Sequence, residues 1–373
     1  MSAVKHLYVH VPFCAHRCGY CDFVTVVGRK GEHAAYVDAL LAELELESGL
    51  LAEPLETVYL GGGTPTFTES AELSRLLASL PPAAEVTVEA NPETVTPAVA
   101  ELLRGAGVTR VSLGAQSFQP RLLAVLERAA QPETVRQAFY HLRDVGFDNI
   151  SLDLIYGIPG QSPSDLDRDL AEAIALAPEH LSCYELEAKP GTRFTHARGP
   201  ELLWQAEAME GYFEQVVETL TSAGYRWYET ANFCRDGRRS RHNLAYWLGR
   251  DYLGLGIGAV STVGGRRWRN APKLAAYVAA LAEGRRPPRE HEALGAETRS
   301  LERLMLGLRL DQPVPVGTVA GVVDEVAFDR LQRLGLVERR GEGLTLTKRG
   351  RFLGGGVTAD LLRESDLETP AKN

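Results

Sequence analysis

Long apolar runs are missing from this 373-residue chain, and its amino terminus shows no signal sequence. A membrane-spanning helix needs about 20 predominantly apolar residues, so we expect a cytoplasmic protein without a membrane span. An excess of basic residues is also missing, because 40 Lys and Arg face 49 Asp and Glu, for a net charge of −9. Since affinity for nucleic-acid phosphates requires a basic face, this balance argues against a nucleic-acid binder.

Cysteine is scarce, yet three of the five cysteines lie within eight residues and have the spacing CxxxCxxC: Cys14, Cys18 and Cys21. Disulfides among them would leave one thiol unpaired and are rare in a reducing compartment. Structural zinc normally takes a fourth Cys or His, and His16 lies too close in the loop to complete a tetrahedron comfortably. Three thiolates do satisfy three irons of a [4Fe–4S] cluster and leave the fourth iron open. The spacing therefore favours such a cluster, with zinc and redox chemistry as the alternatives.

The loop "VHVPFCAHRCGYCDF" resembles the cluster loop of the radical-SAM superfamily. The resemblance implies that the open iron chelates the amine and carboxylate of S-adenosylmethionine. It also implies one-electron cleavage of that cofactor to a 5′-deoxyadenosyl radical.

Short apolar runs alternate with helical stretches along most of the chain, as in "HLYVHV" followed by "AYVDALLAELELESGLL". This alternation predicts an α/β fold with a parallel sheet and right-handed crossovers. About six such units favour a partial (β/α)6 TIM-type barrel over an open doubly wound sheet, and the radical-SAM resemblance implies the same barrel. We expect the barrel over residues 1–230, a connecting segment over 231–282 and a smaller α+β domain over 297–363.

Polar residues or glycines follow four successive predicted strands. Gly61, Gly62 and Gly63 follow the run "TVYL", and Glu89, Gln116 and Asp153 lie at the next three strands. Because the carboxyl ends of parallel strands carry the chemistry of such barrels, we expect these residues to surround a ligand. The simpler interpretation of each one alone is a turn or a solvated strand end.

The motifs "GGGTPT", "EANPE", "GAQSF" and "LDLIYGIPGQ" resemble, in this order, the coproporphyrinogen-oxidase-like branch of radical-SAM proteins. The resemblance covers roughly the first 260 residues. It implies that nine residues contact bound S-adenosylmethionine: Tyr8, Tyr20, Gly62, Gly63, Thr64, Glu89, Gln116, Arg128 and Asp153.

Within the branch two interpretations compete, an oxygen-independent coproporphyrinogen III dehydrogenase and a heme chaperone. A third, a radical-SAM methyltransferase or cyclopropanase, would share the pocket but has no reason to keep an HNxxYW motif. The dehydrogenase carries a fourth Cys at the position of Phe23 in this chain. It also has a long segment before its cluster strand, whereas only seven residues precede Tyr8 here. The run from His242 to Trp247 also resembles the HNxxYW motif attributed to heme binding in the chaperone. All three features favour the chaperone, and whether the chain has any enzymatic activity stays open.

His242 is therefore the leading candidate for a heme contact, since a neutral imidazole is a common axial ligand. The simpler interpretation is a helix cap or a packing residue. Cys183 and Cys234 are interpreted as small buried hydrophobes, with thiolate ligation of heme as the alternative. The resemblance implies heme and hemoprotein acceptors, such as respiratory enzymes, as partners. It leaves open peripheral contact with membrane-bound acceptors and a homodimer.

The carboxyl-terminal part predicts two helices, "TRSLERLMLGLRL" and "DEVAFDRLQRLGLV", and a hairpin with Gly341 and Gly343 at its turn. This order resembles a winged-helix arrangement. Acidic residues balance its basic ones, so a role in covering the substrate or docking a partner is favoured over DNA binding. The residues after about Leu362 are expected to form a frayed tail.

Overall fold

The structure, a computed structural model, describes residues 3–187 and 193–362. Its centre is a nine-stranded sheet in the order β11-β1-β4-β5-β6-β7-β8-β10-β9. The strands from β11 to β8 pair in parallel, whereas β10 is antiparallel to both β8 and β9. The order ends at β11 on one edge and at β9 on the other, so the barrel is partial, and the predicted TIM-type α/β fold is confirmed. Its strands are β1 (His6–Val11), β4 (Leu55–Gly62), β5 (Ala83–Ala90), β6 (Arg110–Gln116), β7 (Ile150–Tyr156), β8 (His180–Glu185), β9 (Arg226–Glu229), β10 (Asn232–Cys234) and β11 (Leu253–Leu255).

The parallel strands are short and almost continuously buried, as expected for a sheet that is covered on both faces. Val9, Leu60, Leu113 and Leu152 are among the completely buried residues of this core. Cys183 and Cys234 are also buried, on β8 and β10. Burial of these aliphatic side chains is the main stabilising contribution, at about 25 cal/mol for each Å² of apolar surface removed from water.

The outer layer consists of helices that follow the strands. Several begin with proline in the first turn, where the missing amide hydrogen costs nothing. Ser162 and Asp165 form a reciprocal capping box at the start of α6. The helices are α1 (His33–Glu47), α2 (Ser70–Ser79), α3 (Pro97–Gly105), α4 (Pro120–Val125), α5 (Pro132–Asp144), α6 (Pro163–Ala175), α7 (Arg193–Ala206) and α8 (Met209–Ser222).

The segment 231–282, which the sequence predicts to be a connector, contributes β10 and β11 to the central sheet. A boundary at residue 230 therefore cuts through that sheet, because three-residue strands carry too little pattern to be recognised in the sequence. The segment also contains the helix α9 (Arg241–Trp247), which packs against β4.

A three-stranded antiparallel sheet, β12 (Val260–Val263), β13 (Arg266–Asn270) and β14 (Arg289–Ala293), docks with α10 (Leu274–Ala282) onto α1. Glu43 of α1 is completely buried at this contact. Its carboxylate accepts hydrogen bonds from the backbone N–H of Gly256 (2.8 Å), from Asn270 (2.8 Å), from Tyr277 (2.7 Å) and from Arg289 (2.9 Å). Four donors around one buried carboxylate fix this sheet on the barrel.

The carboxyl-terminal domain has its own apolar core, which includes Leu304, Phe328 and Leu344. The two predicted helices are present, and β16 and β17 form the predicted hairpin, with Gly341 at φ 59° in its turn. The short strand β15, which the sequence pattern does not reveal, completes a three-stranded sheet. The predicted tail beyond Leu362 lies outside the described residues. The elements are α11 (Ala296–Gly307), β15 (Val314–Pro315), α12 (Glu325–Arg333), β16 (Val337–Arg340), β17 (Gly343–Leu346), α13 (Lys348–Phe352) and α14 (Gly354–Leu361).

Within residues 3–187 and 193–362, no helix is long and apolar enough to cross a membrane.

Candidate functional site

The three-cysteine loop leaves the carboxyl end of β1 and is held closed at its base. The strand β2 (Phe13–Cys14) pairs with β3 (Val26–Val27), which fixes the two ends of the loop side by side. A turn hydrogen bond of 3.2 Å from the N–H of Cys21 to the carbonyl of Cys18 shapes the loop between them. Cys14 is buried, Cys18 and Cys21 are half-buried, and all three are free thiols.

Burial raises the pKa of the Cys14 thiol to about 11 and also raises the pKa of Cys21. These thiols stay protonated near neutral pH until a positive centre binds, because iron coordination deprotonates a thiol outright. Among the described residues, no three His, Cys, Asp or Glu side chains are grouped closely enough to hold a single metal ion. The donor set fits a [4Fe–4S] cluster, in which each cysteine binds its own iron.

A chain of polar contacts joins Cys14 to Cys18 across the ends of three strands. Cys14 Sγ lies 3.6 Å from Thr64 Oγ1, which accepts a hydrogen bond of 3.0 Å from Asn91 Nδ2. Asn91 Oδ1 accepts one of 2.9 Å from Arg128, whose other terminal nitrogen lies 3.8 Å from Cys18 Sγ. The guanidinium group places a positive charge beside a thiol that becomes negative when it binds iron.

The sequence analysis placed Thr64 and Arg128 at this site but missed Asn91, which connects them. Asn91 directly follows β5 and lies inside the quoted motif "EANPE", so its position at a strand end was the available signal. Arg128 is further fixed by a hydrogen bond of 3.0 Å to the carbonyl oxygen of Gly114 on β6.

Glu89 lies at the end of β5, where its carboxylate accepts hydrogen bonds from Tyr59 Oη (2.7 Å) and from the backbone N–H of Gly62 (3.0 Å). Burial raises the pKa of Glu89. Tyr8 lies beside Tyr59, with ring centroids 6.2 Å apart, and its hydroxyl is 3.1 Å from His10 Nδ1. The structure thus brings Tyr8, Gly62 and Glu89 together at one edge of the sheet.

The glycines at the end of β4 are required by close packing. Gly62 has φ 110°, and a Cβ atom there would lie 2.4 Å from the ring of His10. A Cβ atom on Gly63 would lie 2.5 Å from the backbone of Pro12, next to the cysteine loop. The Gly62 amide is directed at Glu89 in this structure, so the sequence-based expectation that it faces a ligand stays a prediction.

Asp153, the third predicted carboxyl-end residue, lies inside the barrel and accepts hydrogen bonds from Ser112 (3.0 Å) and Ser151 (3.2 Å). Burial raises its pKa. Arg110, which the sequence analysis missed, is 1% exposed and acts electrostatically on both Glu89 and Asp153. Its Nε and Nη1 atoms are buried and make no hydrogen bond to the described residues. Glu89 and Asp153 thus share this part of the interior with an arginine whose Nε and Nη1 have no partner among the described residues.

Gln116 and Tyr20 occupy the remaining predicted positions. Gln116 ends β6 with φ 65°, at a register shift between β6 and β7 that turns the chain out of the sheet. Tyr20 packs beside an apolar cluster that includes Leu122 and Ile158, and burial raises its pKa.

His242 is 1% exposed and lies on α9 inside the barrel wall. Its Nδ1 is 2.7 Å from Thr57 Oγ1 and its Nε2 is 2.9 Å from Tyr246 Oη, so both ring nitrogens are hydrogen-bonded. Its ring stacks on Tyr59 at 5.0 Å between centroids. Burial lowers the pKa of His242 to about 3, which keeps the imidazole neutral near pH 7. A heme contact at His242 stays a prediction, and it requires the ring to leave this network.

Comparison with known proteins identifies the family. Residues 8–173 match the radical SAM superfamily, and residues 294–353 match the HemN C-terminal domain. The heme chaperone HemW of Mycobacterium tuberculosis is 39% identical over 368 residues, which cover 95% of this chain and 94% of that protein. HemW of Bacillus subtilis is 33% identical over 97% of this chain and all of its own length.

Among solved structures, coproporphyrinogen III oxidase (HemN) from Escherichia coli, described as a radical SAM enzyme, superposes with a TM-score of 0.81 at 25% identity. The superposition covers 96% of this chain and 90% of that one. The barrel and the smaller carboxyl-terminal domain are thus shared with HemN, whereas the sequence is more similar to the HemW proteins. The chain belongs to the HemW family of heme chaperones, within the radical SAM superfamily.

Proposed function

We propose that this protein is a heme chaperone, which binds heme and delivers it to hemoproteins while carrying a [4Fe–4S] cluster and S-adenosylmethionine. The observation that carries the proposal is the similarity to HemW proteins over nearly the whole chain. It extends through the carboxyl-terminal domain, so it does not depend on the widespread barrel alone.

In this proposal Cys14, Cys18 and Cys21 hold the cluster. Bound there, the cluster would supply an open iron for S-adenosylmethionine and an electron for its reduction. The protein's own contribution is the polar chain through Asn91, which fixes Thr64 and Arg128 against two of the cysteines. Arg128 offsets part of the negative charge that three thiolates bring into a partly buried loop.

S-adenosylmethionine would lie over the carboxyl ends of β4 to β7. The proposed contacts are the nine residues that the family motifs indicate. Glu89 and Asp153 supply hydrogen-bond acceptors, and Tyr8 and Tyr20 supply flat apolar surface. Arg110 holds positive charge beneath both carboxyl groups, which limits their mutual repulsion when both are ionised. The sulfonium cation of the ligand would add a further favourable charge at this edge.

Phe23 favours the chaperone over the oxidase. It occupies the place of the fourth cysteine of the oxidase and is 63% exposed, so it presents an apolar ring to solvent directly after the cluster loop. Isolated exposed aromatic residues are common, but a porphyrin also requires flat apolar surface. The carboxyl-terminal domain is the proposed docking element for the acceptor hemoprotein.

The test combines a turnover assay with a binding titration on cluster-reconstituted protein under anaerobic conditions. Coproporphyrinogen III, S-adenosylmethionine and a reductant are supplied, and tetrapyrroles are resolved by chromatography. We expect no decarboxylation and saturable binding of heme in the same sample. Accumulation of protoporphyrinogen over many turnovers would establish the oxidase instead and would contradict the chaperone assignment.

The control variant is Cys18→Ser, which should lose the iron–sulfur absorption. Its heme affinity then shows whether the cluster is needed for heme binding. A wild-type sample that has an intact cluster and binds no heme would also contradict the proposal.

A further inference from the structure

A cavity lies at the opposite end of the barrel from the cysteine loop. Its volume is about 270 Å³. Its walls include Glu85 near the start of β5, Thr109 directly before β6 and Asn149 directly before β7, so it opens at the amino-terminal ends of the strands. No residue of the proposed cluster or S-adenosylmethionine site lines it.

Arginine dominates the charge of this cavity. Four arginines and two carboxylates line it: Arg104, Arg238, Arg239, Arg241, Glu85 and Asp148. The whole chain has a net charge of −9, so a local excess of positive charge in a concave site is contrary to the overall balance. A cleft lined by charge of one sign concentrates ligands of the opposite sign.

The carboxylate of Glu85 is already used by the protein. It accepts hydrogen bonds of 3.2 Å from the backbone N–H of Arg241 and of 3.2 Å from that of His242, at the start of α9. Asp148 pairs with Arg238 at 2.9 Å, but both side chains are exposed, and water screens such a pair. Neither carboxylate removes the positive character of the interior.

Two of the arginines have unused donors. Within the described part of the chain, neither the Arg104 nor the Arg241 guanidinium donates a hydrogen bond; Arg104 lies over the ring of Phe147 at 5.6 Å. Arg239 differs, because it reaches Asp311 at 3.3 Å and lies over the Tyr228 ring. The guanidinium fork presents several N–H donors in one plane, which matches the oxygens of a carboxylate or a phosphate.

Asn149 provides an independent indication of a ligand. It is 7% exposed and lines the cavity, and its buried Oδ1 atom has no hydrogen-bond partner among the described residues. A buried amide without a partner is costly, so such groups are rare in folded proteins unless a ligand or water completes them. An oxyanion needs a donor, so Asn149 would bind it through its NH₂ group, in the amide orientation that exchanges the present positions of oxygen and nitrogen.

We propose that this cavity binds an oxyanion, a carboxylate or phosphate group of a small ligand, through Arg104, Arg241 and Asn149. Two sources fit the same chemistry: the two propionate carboxylates of heme, and a free phosphate or phosphate ester. The site stands independently of the chaperone assignment. It adjoins α9, because the N–H groups of Arg241 and His242 share the Glu85 carboxylate at its wall.

The test measures binding of inorganic phosphate to the whole protein by calorimetry, against chloride at equal ionic strength. Arg104→Gln and Arg241→Gln each remove one donor, and we expect each to weaken phosphate binding about tenfold, the loss typical of one charge-assisted hydrogen bond. The matched control is Arg340→Gln, which removes the same charge from an exposed pair with Glu338 in the carboxyl-terminal hairpin. Thermal unfolding of each variant confirms that it is folded.

A competition experiment identifies the source of the oxyanion. Phosphate competes with heme in one titration and with heme dimethyl ester, in which both propionates are blocked, in the other. Displacement of heme by phosphate, with no displacement of the ester, supports the site and assigns it to the propionates. If phosphate binds but does not change heme binding, the site is supported and its ligand is a separate phosphate. The same conclusion follows if phosphate binds and heme does not bind at all. No saturable phosphate binding by the wild-type protein, or equal weakening by Arg340→Gln, would overturn the proposal.

Discussion

Replacing His242 with alanine should destabilise the fold strongly. In the structure the imidazole joins β4 to α9, through Thr57 on the strand and Tyr246 one helical turn further along α9. It also stacks on Tyr59, which donates to Glu89 at the proposed cofactor site. The substitution therefore removes a buried ring and leaves the Tyr246 hydroxyl without its partner, whereas Thr57 keeps its contact with His6 Nδ1 at 3.0 Å.

The magnitude follows from these two losses. Truncating a completely buried ring to alanine costs about 2–4 kcal/mol, because a cavity replaces its contacts. The Tyr246 hydroxyl, which loses its partner, adds about 1 kcal/mol. Since some partners relax toward each other, we expect the free energy of unfolding of His242→Ala to fall by about 3–5 kcal/mol.

Urea unfolding at pH 7.5, monitored by circular dichroism, measures this change. Tyr246→Phe is the matched variant, since it keeps the aromatic ring, removes only the hydroxyl and should cost about 1 kcal/mol. A loss below about 1 kcal/mol for His242→Ala would refute the buried network. The same two variants also test whether the His242 ring ligates heme. If it does, His242→Ala should weaken heme affinity. Tyr246→Phe frees Nε2 and should leave heme affinity intact or higher.

Three further predictions concern the cysteine loop, the docked sheet and pH. Asn91→Ala should lower the iron content after reconstitution and broaden the cluster's electron paramagnetic resonance signal, because Arg128 keeps only its hydrogen bond to Gly114 as an anchor; loading equal to wild type would contradict this. Glu43→Ala should cost about 3–5 kcal/mol in urea unfolding, since the Gly256 N–H and the Tyr277 hydroxyl lose their buried acceptor and Arg289 keeps only Glu47 as its partner on α1; a loss below 1 kcal/mol would contradict the buried network. Burial lowers the pKa of His242 to about 3 from 6.5, so the unfolded chain binds a proton there that the folded chain does not, and stability falls as pH decreases from 6.5. In His242→Gln this decrease should be shallower between pH 6.5 and 4, and identical slopes for the two proteins would exclude the effect.

The barrel and the cysteine loop could be predicted from the sequence because both depend on local patterns. Alternating apolar strands and amphipathic helices indicate a parallel sheet before any contact is known. The spacing of three cysteines within eight residues limits what they can bind. Residues at strand ends, such as Glu89 and Asp153, could be assigned to one edge because parallel strands all end there.

Other features depend on contacts between distant segments. Strand β11 has only three residues, and its partner β1 lies more than 200 residues earlier in the chain. No local sequence pattern therefore identifies β11 as a strand. Asn91 acquires its role only when β4, β5 and the segment containing Arg128 meet. Arg110 looks like a surface residue in the sequence because arginine is rarely buried, yet it lies inside the barrel.

His242 shows which part of a motif can be placed from the sequence. The spacing HNxxYW places positions i and i+4 on one face of a helix, so contact between His242 and Tyr246 was predictable. Burial of that face was not, because it depends on the packing of α9 against β4.

The measurement that tests the central claim most directly is heme transfer. Cluster-reconstituted protein loaded with heme is mixed with an apo-hemoprotein acceptor, and holoprotein formation is followed by its Soret band. Apomyoglobin in a parallel sample reports the rate of spontaneous heme release. A chaperone should transfer heme to its acceptor faster than it releases heme to apomyoglobin, and acceptor activity should appear at the same rate. Equal rates in the two samples, or no heme retained on the protein before mixing, would contradict the account.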